Sequence, residues 1–235
     1  MDRRAAMTPF FDHIRETLGP LSQSQVDGIN ALLAATVGMS TDHRAYVLAT
    51  AWHETARTMQ PITEYGSRKY FDKYDAGTSI GKVLGNTIKG DGYKYRGRGY
   101  VQITGRKNYQ KASAIVHADL VANPELALDP DTAAIIIVDG MTRGWFTGKA
   151  MKDYADFESM RRVVNGNDKA KTIAGYAATF KAALALAGNV PDKPVPVPPL
   201  PMPPEPPAPA GEAPSGFWAM LINFIAALFR KGTKP

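Results

Sequence analysis

Residues 93–109 read Tyr93-Lys94-Tyr95-Arg96-Gly97-Arg98-Gly99-Tyr100-Val101-Gln102-Ile103-Thr104-Gly105-Arg106-Lys107-Asn108-Tyr109. Glycines at 92, 97 and 99 punctuate the stretch, and aromatic and β-branched residues fill it. That composition predicts turns with short extended pieces. Six basic residues and no acidic ones lie between Gly92 and Ala118. The tyrosines, Tyr95 among them, offer flat faces for sugar rings, while Gln102, Thr104 and Asn108 offer neutral donors and acceptors. Glycines let a long polymer approach the backbone closely. Basic side chains interleaved with aromatic ones also suit single-stranded nucleic acid. Chemistry alone leaves both polymers open.

Either side of this stretch the pattern is helical. Thr8-Pro9 predicts a helix start, with the helix running to Leu18 before Gly19-Pro20. From Ser22 to Val37 the residues Val26, Ile29, Leu32 and Leu33 recur at three- and four-residue spacings, an amphipathic helix. Thr41 or Asp42 caps the next helix, where Ala45, Leu48, Ala49 and Trp52 form one stripe. Further helices are predicted over 108–116, 131–145, 157–164 and 168–187.

The helix from Thr41 ends on His53-Glu54-Thr55. A carboxyl at an apolar helix end is partly desolvated and meets the negative end of the helix dipole. Both effects disfavour its charge, the condition a general acid requires. Ten residues on, Glu64 follows Pro61, which stops the helix, and precedes Gly66, which marks a loop. Such a connection can hang a second carboxyl across a cleft from the first, the pairing that glycoside hydrolysis needs.

Composition sets the frame. The 44% hydrophobic and 21% charged content is that of a soluble globular protein. The absence of cysteine rules out disulfides, thiolate nucleophiles and sulfur-ligated metal sites, and suits synthesis in a reducing cytoplasm. His13, His43, His53 and His117 lack paired spacings with carboxylates, so no metal and no cofactor is expected. A net charge of +6 favours an anionic partner, whether nucleic acid, acidic lipid or the acidic polymers of a bacterial envelope. The basic start, Met1-Asp2-Arg3-Arg4, has no apolar stretch behind it, so no cleavable signal peptide is expected.

Three segments follow from composition. Residues 1–189 form the expected folded domain. Residues 190–214 form a linker, with 12 prolines among the 24 positions from Pro191 to Pro214, a semi-rigid spacer. Residues 215–235 carry an apolar run from Gly216 to Phe229, broken by Asn223 and followed by Arg230 and Lys231. The run falls short of the roughly 17–25 residues that span a bilayer. Trp218 near one end and the basic residues at the other predict membrane contact through residues 216–231.

The H-E-T of 53–55, the R-G-R-G-Y-V-Q-I-T-G-R-x-N-Y of 96–109 and the V-V-N-G of 163–166 resemble glycoside hydrolase family 19, in that family's order, over most of residues 40–187. The chain looks closest to the phage-type endolysin branch. The resemblance implies a mainly α, two-lobed lysozyme-like fold with a small extended element lining the cleft. It implies Glu54 as general acid, Glu64 as general base, and Gln102 and Thr104 contacting sugar and positioning water. Asn108 and Asn165 become substrate binders, with His53 and Tyr95 beside them. Inversion, the family's outcome, places the carboxyls about 6.5–9.5 Å apart. Plant members space acid and base further apart, and carry an acid where this chain has Lys169.

The expected function is therefore an endolysin-like hydrolysis of the β-1,4 bonds of bacterial peptidoglycan by a monomer, acting on the cell wall after release. Chitin is the alternative substrate. A membrane-disrupting or wall-binding protein acting through its C-terminal segment is the alternative from another class. Nucleic acid ranks last.

Overall fold

A computed structural model describes residues 3–188; the expected linker at 190–214 and apolar segment at 215–235 lie outside the described residues. The longer helices are α1 (Arg3–Leu18), α2 (Gln23–Ala35), α3 (Thr41–Glu54), α6 (Arg106–Val116), α7 (Pro130–Arg143) and α9 (Ala170–Leu186). Short helices α4 (Ser79–Leu84), α5 (Asp91–Lys94) and α8 (Phe157–Met160) lie between them. The sheet has two strands, β1 (Ile62–Thr63) and β2 (Arg98–Gly99), paired antiparallel with Ile62 opposite Gly99 and Thr63 opposite Arg98. Among the described residues, no helix is long and apolar enough to cross a membrane.

Local chemistry accounts for the helix boundaries. Ser22 caps α2 with a capping box, its hydroxyl accepting from Gln25 N while the Gln25 side chain accepts from Ser22 N at 2.8 Å. Ser40, not Thr41 or Asp42, caps α3 by accepting from His43 N. The start expected at Thr8-Pro9 falls inside α1, which reaches back to Arg3. A proline at this depth removes one backbone donor, and burial of Met7, Phe10, Phe11 and Ile14 holds the helix together around it. The helix expected over 157–164 is α8 followed by a 3-10 turn at Arg161–Val163.

The apolar stripe expected on α3 understates its position. Every residue from Ala45 to Trp52 is buried, so this helix runs through the interior and packs chiefly against α9, with Trp52 edge-on to Phe180. The largest core joins residues of α1, α2, α3, α7 and α9. Two smaller clusters form the other lobe, one around Tyr95, Tyr109 and Leu120 and one around Phe71, Tyr74 and Leu84. The fold is mainly α and two-lobed, with the small sheet bringing the 62–63 and 98–99 segments together.

Gly28 decides how α2 meets the chain leaving α3. A methyl group there would stand 1.7 Å from the Met59 carbonyl oxygen, which is backbone and has no rotamer to yield. Alanine in mid-helix ordinarily stabilises by about 0.5–1 kcal/mol relative to glycine. Here overpacking reverses the sign. Gly28→Ala is expected to lower stability by about 2–3 kcal/mol, and the melting temperature by roughly 5–10 °C. A thermal melt that is unchanged or raised would contradict this packing.

Candidate active site

The chain reverses sharply after α3. Ala56, Arg57 and Met59 have φ of 51°, 73° and 54°, left-handed conformations that non-glycine residues adopt at a cost. Thr55 holds the reversal: its hydroxyl donates to Ala51 O at 2.8 Å and accepts from Met59 N at 3.0 Å. From α2, Gln25 Nε2 donates to Arg57 O at 2.8 Å, and from the turn Gln60 Nε2 donates to Ser24 O at 2.5 Å. The threonine of H-E-T therefore shapes the connection between Glu54 and Glu64.

Glu54 closes α3 with its side chain 1% exposed. Its Oε1 accepts from Arg161 Nη1 at 2.5 Å, and its Oε2 is buried without a protein partner. Arg161 is equally buried, and its Nε donates to the Asp168 carbonyl at 2.9 Å. The apolar setting expected for Glu54 is thus incomplete. An arginine 107 residues away in sequence supplies a charge partner. Tyr46 lies in the same electrostatic neighbourhood, its hydroxyl pushed up by burial, and its ring stacks on Phe157. His53 is half-buried, and burial holds its imidazole below the usual histidine range, despite the opposing charge of Glu54. Asn165 is half-buried in the loop after Val163, where its backbone N donates to Arg161 O at 2.9 Å. Thr147 pins that loop, its hydroxyl reaching Arg162 O at 2.7 Å.

Glu64 leaves β1 with its residue 2% exposed. Its backbone N donates to Gly97 O at 2.7 Å, and Gly97 N donates back to Glu64 Oε2 at 3.0 Å. The Tyr74 hydroxyl donates to Oε1 at 3.1 Å. Burial pushes the Glu64 carboxyl up from its ordinary 4.5, with Gly97 N–H, Tyr74 and the charges of Lys73 and Arg96 opposing. Tyr74 is itself pushed up by burial and by Glu64, so it remains a hydrogen-bond donor. A Cβ at Gly97 would meet Gln102 Oε1 at 2.9 Å and Glu64 Cβ and Oε2 at 3.2 Å, so a side chain there would press on both residues.

Gln102, at a left-handed φ of 54°, donates through Nε2 to Ile62 O at 2.7 Å and Gly99 O at 2.8 Å. Its Oε1 is buried without a protein partner. Buried Thr104 donates to Gln102 O at 3.0 Å, and half-buried Asn108 donates to Thr104 O at 2.8 Å. Glu64, Gln102, Thr104 and Asn108 thus form one connected group. Glu54 and His53 form another, with Asn165 tied to it through Arg161.

Tyr95, expected among the substrate binders, has no face open to a sugar. It is fully buried, packs on Tyr109 with ring centroids 5.3 Å apart, and donates its hydroxyl to Val121 O at 3.1 Å. Tyr100 and Tyr109 are also fully buried. Tyr95 and Tyr109 fill the small lobe, where aromatic area is the main filling available, and Tyr100 joins the largest core; all three have satisfied polar tips and are not sugar platforms. Among the described residues the exposed ring is Tyr65, 80% accessible and next to Glu64.

Three residues escaped the sequence reading: Arg161, Tyr74 and Tyr65. Arg161 has a partial signal, since the pair Arg161-Arg162 precedes V-V-N-G. Nothing local says that Arg161 is buried and Arg162 exposed.

A family model for glycoside hydrolase family 19, described as chitinase class I, matches residues 34–185. The chain belongs to glycoside hydrolase family 19. The fold is similar to that of chitinase C from Streptomyces griseus HUT6037, with a TM-score of 0.50 and 18% identity over 79% of this chain and 76% of that one. A bacterial family 19 chitinase matches with a TM-score of 0.48 and 20% identity, covering 79% of this chain and 94% of that one. As a family 19 member the chain is a glycosidase, and its substrate is a polysaccharide.

The Glu64 environment of this family 19 domain has a pH signature. A carboxyl raised on folding binds its proton more tightly in the folded state than in the unfolded one. Its contribution is fully present below 4.5 and is lost as pH rises through the folded value. Glutamine at 64 can still accept from Gly97 N and donate to Tyr74, without titrating. The stability of Glu64→Gln relative to the parent should therefore rise from about pH 4 to pH 7. Chemical denaturation at both pH values checks this; a difference that is flat or falls with pH contradicts it.

Proposed function

We propose that the chain hydrolyses the β-1,4 glycosidic bonds of bacterial peptidoglycan with inversion, as phage-type endolysins do, with Glu54 as general acid and Glu64 as general base. The observation that carries the reading is that two buried carboxyls stand at the ends of one strained connection; which is acid and which is base follows the resemblance of His53-Glu54-Thr55 to the family motif. Glu54 has one oxygen held by a guanidinium and the other, Oε2, buried without a protein partner, so Oε2 can hand a proton to the leaving oxygen once substrate entry uncovers it. Arg161 then stabilises the carboxylate that remains. Glu64 has the raised proton affinity of a stronger base, suited to drawing a proton from water. Gln102 Oε1, beside Gly97, is a second acceptor next to Glu64 Oε2, where it can orient that water. Tyr65 supplies an exposed aromatic face for a sugar ring.

Peptidoglycan is favoured over chitin by charge: the chain carries +6, and the basic side chains around residues 94–111 suit an acidic polymer. Chitin hydrolysis is the second reading, favoured by the description of the family model and by the chitinases that share the fold. Membrane contact through residues 216–231 belongs to the same proposal and rests on the apolar run and its basic flank. Mass analysis of digests decides between the substrates. Purified peptidoglycan should yield fragments with a defined reducing-end sugar, and chitin oligomers should yield little. The reverse result assigns the chain to chitin.

A further inference from the structure

Arg96 and Arg98 adjoin Gly97, the residue that binds Glu64, and both also line a separate concavity of about 530 Å³. Six cations face two acids in its lining. Both acids are engaged. Arg106 grips Asp91 through two bonds of 2.9 and 2.7 Å, and Arg98, 1% exposed, binds Glu125 at 2.5 Å. Four cations are left over: Arg68, Lys89, Lys94 and Arg96. Among the described residues Arg68, Lys89 and Lys94 have no ion pair, and the acid paired with Arg96 is Glu125 at 3.8 Å. Two of the four are pre-positioned, because Arg68 and Arg96 lie 4.7 and 4.3 Å from the centre of the Tyr93 ring. Within the wall, Arg98 Nε is buried without a protein partner.

We infer that this concavity binds the carboxylate-bearing peptide side chains of peptidoglycan, an inference that rests on the peptidoglycan reading above. A surplus of cations in a recess, beside a carboxyl assigned to catalysis, needs an anion that accompanies the sugar chain. Chitin has none. The arginines of the recess already bind carboxylates in the Arg106–Asp91 fork and the Arg98–Glu125 pair, so its donor geometry fits that group. Peptide capture here would hold the glycan against Glu64 and discriminate decorated from bare glycan.

The test uses the full chain and a double variant, Arg68→Ala with Lys89→Ala, both positions exposed and outside the acid–base pair. kcat/KM is measured on peptidoglycan with its peptides and on glycan strands stripped of them by an amidase. The preference of the parent for peptide-bearing substrate should fall about tenfold in the double variant, an effect that shrinks with added salt. Arg68→Lys with Lys89→Arg should restore it. Equal loss on both substrates, or no loss, overturns the site. Titration with a soluble stem peptide separates this from the substrate reading, because it decides the site even if the chain cleaves chitin alone. Binding weakened about tenfold by the double variant supports the site. Absent or equal binding, or tighter binding of polyphosphate than of the peptide, overturns it.

Discussion

Glu54→Gln should lower turnover on the polysaccharide by about three orders of magnitude while the chain still folds. Glutamine keeps the shape, and its carbonyl oxygen can still accept from Arg161 Nη1, which now bonds Glu54 Oε1 at 2.5 Å. Its amide would stand where Oε2 is now, and an amide cannot give up a proton to a leaving sugar oxygen. The Arg161 guanidinium, 2% exposed, stays charged and keeps that acceptor but loses its counter-charge, a loss of about 2–3 kcal/mol and roughly 4–10 °C in melting temperature. Reducing-sugar release and a thermal melt read the two effects separately. Residual activity within tenfold of the parent would remove Glu54 from the chemistry.

Arg161→Ala should damage stability more, since it also loses the Nε bond to Asp168 O. It leaves the Glu54 carboxyl, 1% exposed, with no counter-charge, and breaking one side of a buried pair costs about 3–5 kcal/mol. Denaturant unfolding is the direct measure. Combining Arg161→Ala with Glu54→Gln removes the stranded charge, so the double variant should be more stable than Arg161→Ala alone. Recovery is partial, since the Arg161 Nε bond to Asp168 O is still lost. A double variant no more stable than the single would mean that the pair is not coupled as described. Activity should fall with Arg161→Ala and not return in the double variant.

The two glutamates, Glu54 and Glu64, and the long glycine-rich motif were legible in sequence, while the partners that surround the two carboxyls were not. Tyr74 lies ten residues beyond Glu64 in a 3-10 helix with no distinctive pattern. It reaches the carboxyl through the packing of the Phe71–Tyr74–Leu84 cluster. Tyr95 misled for the converse reason. A tyrosine between basic residues looks the same whether it faces solvent or fills a small lobe, and burial against Tyr109 settled the matter.

From sequence alone came the mainly helical architecture, the family resemblance and the two glutamates. Period, caps and contiguous motifs are properties of neighbouring residues, and the chain order preserves them. Tertiary structure alone decided that Arg161 rather than Arg162 turns inward to Glu54, that Gly97 and Tyr74 grip Glu64, and that a basic recess opens beside them. Each of these depends on segments distant along the chain meeting at hydrogen-bonding range, and charge and burial act through space without regard to sequence separation.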